Sequence, residues 1–291
     1  MKVEAVHSIE ELRRTLASIR SARRSIGLVP TMGALHAGHG RLIETARRES
    51  ACVVVSIFVN PIQFDRSDDY SRYPRTLASD IEFCTARAVD IVFAPSAEEM
   101  YPGPQRAFVE VNEISDHLCG QFRPGHFRGV STVVLKLLNV VQPDRAYFGE
   151  KDAQQVAVIR QMVKDLNVPV EIVEVPTVRE ADGLALSSRN ARLTAEERCI
   201  APALYRALQA AAVLISAGTT CTAEIKKEAL RAFDAHPEIR VEYLEIANAA
   251  DMLPVEQITG SVRIAGAVWI GKTRLIDNVL CTPGGAQAAS G

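Results

Sequence analysis

Apolar segments of strand length recur along the first part of the chain, and helical patterns lie between several of them. The apolar segments cover residues 25–30, 51–59, 89–94, 144–148 and 170–175. Apolar residues at i, i+3, i+4 and i+7 mark helices, most clearly in residues 130–141 and 156–166, and these stripes are core positions. Strands and helices that alternate in this way are typical of a parallel sheet covered on both faces. The pattern therefore predicts an α/β domain.

Polar capping patterns mark the first helix and the last third of the chain. A Ser-x-x-Glu capping box at residues 8–11 precedes a helix that runs toward Arg23. A Thr-x-x-Glu box at 194–197 predicts a long alanine-rich helix that ends near Gly218, and another helix begins near Thr222. Alternating apolar and polar residues then follow in 239–246, 262–270 and 273–279. These runs predict a small antiparallel sheet.

The polar segment 179–183 separates the two patterns, and we place a domain boundary near Gly183. We expect residues 1–183 to form a domain with the parallel sheet and residues 184–291 to form a smaller α+β domain. The length of 291 residues supports this division, because it exceeds what one core typically holds. The final segment, 282–291, has the composition of a disordered tail.

Composition restricts the function further. Hydrophobic residues make up 47% of the chain and charged residues 23%, as in an ordinary soluble globular protein. The formal net charge of −2 provides no general field for holding nucleic acid or an anionic membrane. The six cysteines contain no Cys-x-x-Cys pair, so reduced thiols are expected, with Cys52 in the core. We find no apolar run of membrane-spanning length and no signal-peptide core, and therefore expect a cytoplasmic protein.

The candidate chemistry begins in residues 29–39, VPTMGALHAGH, between an apolar segment and a helical pattern. His36 and His39 are three residues apart, so they share one face of a first helical turn, beside backbone N–H groups without helical partners. A helix start attracts anions, and an imidazole can donate a hydrogen bond to a phosphate oxygen or exchange a proton near neutral pH. Gly33 and Gly38 allow close approach of the backbone to a ligand. The segment predicts a phosphate-handling strand-to-helix turn.

Two further segments follow predicted strands and carry polar side chains: Gln63 is suited to binding a hydroxyl or a carboxylate, and Lys151 to binding a phosphate. The sequence VNPIQF at 59–64 places Gln63 at the carboxyl edge of the sheet, where open α/β folds bind ligands. Lys151 follows the fourth strand and is suited to neutralising a phosphate. Gln155 lies one helical turn beyond Lys151, so both side chains can line one pocket.

Three loops have less specific signals. Residues 186–189, LSSR, offer two hydroxyl groups and a guanidinium to a polyphosphate. The segment RPGHF, with Arg123 and His126, is either a further anion contact or a capped loop. The charged loop 65–73 is either a lid or a solvated connection.

Taken together, these motifs resemble the pantoate–β-alanine ligase family, the pantothenate synthetases. The resemblance is carried by PTMGALHAGH at 30–39, FVNPIQF at 58–64, RPGHF at 123–127, GEKD at 149–152 and LSSR at 186–189. Five ordered motifs are more specific than His-x-Gly-His alone, which the wider nucleotidyltransferase and class I tRNA-synthetase-like superfamily shares. The resemblance implies a Rossmann-like, nucleotidyltransferase-type domain that binds ATP, and a smaller C-terminal domain that helps to close the site.

The resemblance also implies roles for individual residues. The implied catalytic residues are His39, as proton donor, His36 and Lys151. Gln63 and Gln155 would bind pantoate, and Gln63 would also border β-alanine. The implied ATP contacts are Met32, Gly33, Ala34, Leu35, His36, Ala37, Gly38, His39, Gly149, Glu150, Lys151, Asp152, Val178, Leu186, Ser187, Ser188 and Arg189.

The reaction implied by the resemblance has two steps. Pantoate attacks the α-phosphate of ATP to form pantoyl adenylate and release pyrophosphate, and β-alanine then displaces AMP. No covalent enzyme intermediate is required, which agrees with the absence of an activated nucleophile motif from the sequence. The resemblance further implies small-molecule substrates, a requirement for magnesium, and a homodimer. Asp80 and Asp152 are candidate magnesium ligands, although the sequence does not assign the metal site.

Other functions fit part of the sequence. A nucleotidyltransferase of the same superfamily would release pyrophosphate without forming an amide, and amine-dependent release of AMP distinguishes the two. A catalytically silent nucleotide-binding regulator would bind ATP without turnover, which the intact His36, His39 and Lys151 argue against. A role in charging tRNA would require a basic face and an anticodon-binding appendage, and the sequence shows neither.

Overall fold

The computed structural model describes residues 3–65 and 67–283 of the chain. Its contacts divide the chain into two compact units. The first unit comprises Met1–Val111, Arg123–Glu150 and Val158–Pro176, and the second comprises Asn112–Phe122, Lys151–Ala157 and Thr177–Gly291. This division groups two short early segments with the C-terminal part of the chain. The sequence pattern instead divides the chain once, near Gly183, and that boundary stays a prediction.

A six-stranded parallel sheet forms the centre of the first unit. Its strands are β1 (Glu4–Val6), β2 (Ile26–Thr31), β3 (Cys52–Ile57), β4 (Ile91–Phe93), β5 (Arg145–Gly149) and β6 (Glu171–Val175), in the spatial order β1-β4-β3-β2-β5-β6. All five segments predicted as strands lie in this sheet. The strand order reverses between β2 and β5, and open α/β sheets bind ligands outside the carboxyl ends of the strands at such a point.

Helices connect these strands and continue into the second unit. In chain order they are α1 (Ile9–Ser21), α2 (Ala37–Glu49), α3 (Ser67–Ser71), α4 (Leu77–Thr85), α5 (Ala97–Met100), α6 (Cys119–Phe122), α7 (His126–Val141), α8 (Ala153–Asp165), α9 (Ala195–Ile200), α10 (Ala203–Ser216) and α11 (Thr222–Leu230). The capping box predicted at α1 is partly formed, because the Ser8 hydroxyl accepts a hydrogen bond from the backbone N–H of Glu11. Residues 284–291, most of the predicted disordered tail, lie outside the described residues.

The sheet of the first unit is buried on both faces. Leu42 and Ile43 of α2 belong to one apolar cluster with Val29, Val55 and Tyr147 of the strands. Because side chains alternate along a strand, the neighbours of these residues point to the opposite face, and there too residues of the central strands, such as Leu28, Val54 and Phe148, are buried. The predicted parallel sheet with two covered faces is therefore present.

The second unit contains a three-stranded antiparallel sheet of β7 (Ile239–Asn248), β8 (Val262–Ile270) and β9 (Thr273–Cys281), in the order β7-β8-β9. Its apolar core joins residues of α10 and α11 to the sheet, among them Leu208, Ile225 and Ile264. The three alternating runs predicted from the sequence match these strands. This unit is the small α+β part expected at the C-terminal end.

The alanine-rich helix of the second unit differs from the prediction in one respect. Two helices, α9 and α10, replace the single helix, and they meet at Pro202, which has no backbone N–H to donate. Within the described residues, this is the one helical stretch long and apolar enough to cross a membrane, but half of its most apolar window is buried inside the protein. The burial shows that the stretch contributes to the core.

Candidate active site

The turn after β2 is held by hydrogen bonds from both sides. The Thr31 hydroxyl donates to the backbone carbonyl of Ser56 at 2.7 Å and accepts from the backbone N–H of Gly33 at 3.2 Å. Gly33 and Ala34 have φ angles of +81° and +50°, in the region that favours glycine. The turn therefore has a strained backbone that neighbouring groups must stabilise.

Asp80 of α4 supplies that stabilisation. Its carboxylate is 3% exposed and accepts from the backbone N–H groups of Ala34 at 3.0 Å and Leu35 at 2.8 Å. The Thr76 hydroxyl donates to the same carboxylate at 3.1 Å. Both carboxylate oxygens are thus engaged by the protein, and Asp80 anchors the turn, while its suggested role as a magnesium ligand stays a prediction.

His36 and His39 cap the N-terminus of α2, as the spacing predicts. His36 Nδ1 accepts from the backbone N–H of Gly38 at 3.1 Å, and His39 Nδ1 accepts from the backbone N–H of His36 at 3.3 Å. The ring centroids are 4.2 Å apart. Because a backbone N–H donates to each Nδ1, a neutral ring carries its proton on Nε2. The cap therefore makes Nε2–H the donor of both imidazoles.

Gln63 lies in the short 3-10 helix Pro61–Gln63, where its amide is oriented by protein groups. The Asn60 side chain donates to Gln63 Oε1 at 2.9 Å, and Gln63 Nε2 lies 3.0 Å from the sulfur of Met32. Tyr101 donates to Asn60 Oδ1 at 2.8 Å and so fixes the amide of Asn60. Burial raises the pKa of the Tyr101 hydroxyl, which keeps it a donor. The structure thus brings two predicted site residues, Met32 and Gln63, into contact.

Arg123, which precedes α7, and His126, the first residue of α7, support the same segment. His126 Nδ1 donates to the backbone carbonyl of Gln63 at 2.8 Å, since a carbonyl can only accept. Arg123 lies 3.3 Å from His126 Nε2 and forms an ion pair with Asp65 at 3.1 Å. The RPGHF segment is thereby tied to the loop around Gln63. Its contact with an anion stays a prediction.

In the second unit, Lys151 lies in the 3-10 helix Glu150–Asp152 that precedes α8. Its Nζ is 4.0 Å from Asp152 Oδ2. Gln155 is partly buried one turn further along.

The neighbouring Gln154 is buried, and its amide binds the backbone of Cys119 at 2.9 Å, Ile114 at 2.8 Å and His117 at 2.7 Å. Gln154 is a structural residue, whereas Gln155 remains a candidate for ligand binding.

The segment 177–192 also belongs to the second unit. The backbone N–H of Leu186 donates to the carbonyl of Val178 at 3.0 Å, next to a bridge between Arg179 and Ala185. The Ser187 hydroxyl accepts from the backbone N–H of Arg189 at 3.2 Å and caps the 3-10 helix Ser188–Arg192. The predicted ATP contacts at 178 and 186–189 are thus neighbours in one hairpin-like turn.

Within the described residues, no group of three or more His, Cys, Asp or Glu side chains has the arrangement of a metal site. All six cysteines are free, as expected, and Cys52 is buried. Magnesium usually keeps several water ligands and binds substrate phosphates with one or two carboxylates. The protein groups seen here therefore do not form a metal site of their own.

Comparison with known proteins identifies the family. Residues 4–280 match the family described as Pantoate-beta-alanine ligase. The chain belongs to this family. A pantothenate synthetase from Moorella thermoacetica is 52% identical over 278 residues, which cover 96% of this chain and 98% of that protein. One from Thermotoga neapolitana is 50% identical over 275 residues, covering 94% and 98%.

Solved structures of pantoate–β-alanine ligases have the same fold. The enzyme from Thermus thermophilus is 48% identical, with a TM-score of 0.90 over 95% of this chain and 99% of that one. A Francisella tularensis ligase, whose structure is described as a complex with beta-gamma ATP and beta-alanine, is 37% identical, with a TM-score of 0.78 over 96% and 97%. The family and the fold class expected from the motifs are both confirmed.

Proposed function

We propose that this chain joins pantoate to β-alanine with the energy of ATP, through a pantoyl-adenylate intermediate. The observation that carries the proposal is the cap of α2, where two Nε2–H donors lie at a helix N-terminus. Family membership supports it, as does the relative whose structure is described with an ATP compound and β-alanine. The product would be pantothenate, with pyrophosphate and AMP released.

In the first step, a carboxylate oxygen of pantoate attacks the α-phosphorus of ATP, and the bond to the pyrophosphate oxygen breaks. His36 and His39 stabilise the charge that develops on the α-phosphate, and His39, the proton donor that the resemblance implies, donates a hydrogen bond from its Nε2–H to the pyrophosphate oxygen that leaves. Gln63, with its amide orientation fixed by Asn60, binds pantoate together with Gln155. The Lys151 ammonium neutralises phosphate charge.

In the second step, the neutral amine of β-alanine attacks the acyl carbon of the adenylate, the bond from that carbon to the phosphate oxygen breaks, and AMP leaves while the new amide nitrogen loses a proton to solvent. Gln63 borders the β-alanine position in this proposal. The remaining ATP contacts are those named above from the turn after β2, the 149–152 segment, Val178 and residues 186–189. Catalysis rests on positioning and on charge stabilisation, without a covalent enzyme intermediate.

Magnesium enters this proposal as part of the MgATP substrate, because the protein groups described do not form a metal site of their own. No step of the mechanism is assigned to it. A cytoplasmic homodimer is proposed from the family resemblance. Sedimentation of the purified chain at micromolar concentration would show a mass twice that of the chain if the dimer forms.

Isotope exchange between pyrophosphate and ATP tests the first step. With magnesium and pantoate present and β-alanine absent, we expect label to enter ATP, and we expect no exchange when pantoate is omitted. Adding β-alanine should then release AMP in a stoichiometric burst. Exchange without any release of AMP on addition of β-alanine would favour a nucleotidyltransferase. Bound ATP without exchange would favour a silent regulator.

A further inference from the structure

Two adjacent polar residues of β9, Asp277 and Asn278, are buried inside the second unit. They are 4% and 5% exposed, respectively. Buried polar groups are normally hydrogen-bonded, and a side chain in that position holds whatever it binds in a fixed geometry. The partners of these two residues lie in segments that the proposed function assigns to ATP binding.

The amide of Asn278 is bound at both ends. Its Nδ2 donates to the backbone carbonyl of Lys151 at 3.0 Å, and its Oδ1 accepts from Arg263 Nη1 at 2.8 Å. Arg263 lies on the neighbouring strand β8, two residues from Ala265, which is paired with Asn278, and is 5% exposed. The bond to Arg263 fixes which end of the amide is the donor, so that the nitrogen points to Lys151.

Asp277 holds the neighbouring segment in the same way. Its carboxylate accepts from both terminal nitrogens of Arg179, at 2.5 and 2.9 Å, and Arg179 also donates to the backbone carbonyl of Asn278 at 3.2 Å. Arg179 lies in the turn that continues to residues 186–189. Two consecutive residues of β9 thus fix both the Lys151 backbone and the segment that carries Arg189.

We propose that Asn278 is a positioning residue for adenylate formation, because it fixes the backbone from which the Lys151 ammonium reaches the phosphates of ATP. A lysine side chain has four rotatable bonds, so a fixed starting point narrows the region that its ammonium samples. The inference rests on the proposed role of Lys151. In this inference, Asn278 itself contacts neither the substrates nor the products.

The variant Asn278→Asp removes the hydrogen bond to the Lys151 carbonyl and keeps the one from Arg263. It has nearly the same shape and keeps the oxygen that accepts from Arg263, but an ionised carboxylate has no donor for the Lys151 carbonyl. We expect pantoate-dependent exchange to slow about tenfold at saturating substrate, as for the loss of one hydrogen bond. Asn248→Asp, at the exposed end of β7, adds the same charge and keeps its own acceptor oxygen, so it should change exchange less than about twofold.

A double-mutant cycle with Lys151→Met decides whether Asn278 acts through Lys151. If it does, Asn278→Asp should lower the residual exchange of Lys151→Met by less than about twofold. The inference would be overturned if Asn278→Asp caused the same tenfold loss with Lys151 and with Met at position 151. It would also be overturned if Asn278→Asp caused no loss in the chain that keeps Lys151. If Asn278→Asp does not fold, Asn278→Ser, which adds no charge, replaces it in the same double-mutant cycle. Absence of exchange in the unmodified chain would instead refute the proposed function itself.

Discussion

At the scale of single residues, the two histidines of the turn are constrained by the backbone beside them. Each Nδ1 accepts from a backbone N–H, so the tautomer of the neutral ring is determined by the cap and not by the ligand. A donor that is fixed before the substrate arrives costs no reorganisation when charge develops. This is the physical reason why a histidine pair suits this position better than a pair of flexible lysines.

Replacing His39 with asparagine keeps its capping hydrogen bond but removes the donor that the proposed mechanism uses. The asparagine oxygen can take the place of Nδ1 and accept from the backbone N–H of His36, but the side chain has no donor at the position of Nε2. We expect His39→Asn to lower pantoate-dependent exchange by about 10²–10³-fold while MgATP affinity, measured by calorimetry, changes less than about tenfold. His39→Gln, whose amide nitrogen lies near the Nε2 position, should keep more exchange. Equal losses of rate and affinity would contradict a role in the transition state.

Several residues of the site could be predicted from the sequence, but not the residues that hold them. His36, His39 and Lys151 stand in local motifs, and their placement at helix starts follows from strand and helix patterns alone. Asp80 is more than forty residues from the turn that it anchors, and a carboxylate bound to backbone N–H groups leaves no pattern in the sequence. Asn278 is farther still from Lys151.

At the scale of elements, the position of Gln63 depends on how closely α7 approaches the 3-10 helix Pro61–Gln63. Gly129 of α7 makes that approach possible. A Cβ at this position would lie 2.4 Å from the carbonyl oxygen of Ile62 and 2.5 Å from the Cα of Gln63. Real Cβ atoms are not found at such distances, and both contacts are backbone atoms that a side-chain rotation cannot move. Gly129 is therefore a spacing residue between two elements.

Gly129→Ala should destabilise the protein although alanine is the better helix former. Helix propensity alone would favour alanine by about 1 kcal/mol, but the displaced 3-10 helix should produce a net loss of about 1–3 kcal/mol. We also expect a higher KM for pantoate, because Gln63 moves with its backbone. Urea unfolding and steady-state kinetics measure both effects. Asn139→Ala, at an exposed position of α7, should be neutral or stabilising, and an equally benign Gly129→Ala would contradict the spacing role.

The strands that the sequence predicts correctly lie in apolar or alternating runs of strand length. The strands β2 to β6 lie in apolar runs, and β4, although it has only three residues, lies within the apolar segment 89–94; the three strands of the small sheet lie in alternating runs. β1 also has three residues but no apolar run of strand length around it, and it becomes a strand by pairing with β4. The break between α9 and α10 has a local signal in Pro202, which outweighs the alanine-rich pattern around it.

At the scale of the whole molecule, both units bury thiols that their surroundings keep protonated. Burial raises the pKa of Cys52 and Cys281 to about 11 and that of Cys84 to about 12, from an ordinary value of 9.0. Cys52 and Cys84 lie in the first unit and Cys281 in the second. Burial also raises the pKa of Tyr147. An unfolded chain would ionise these groups at lower pH than the folded one does.

The sign of the resulting pH dependence follows from proton binding. Well below pH 9 the thiols are protonated in both states and contribute no slope, whereas between pH 9 and 11 the unfolded chain binds fewer protons, so stability falls as pH rises. We therefore expect the urea midpoint to decrease over this range. Cys84→Ala should reduce the steepness of the decrease, while Cys199→Ser, at an exposed position, should leave it unchanged. A midpoint that stays constant from pH 9 to 11 would show that the thiols ionise equally in both states.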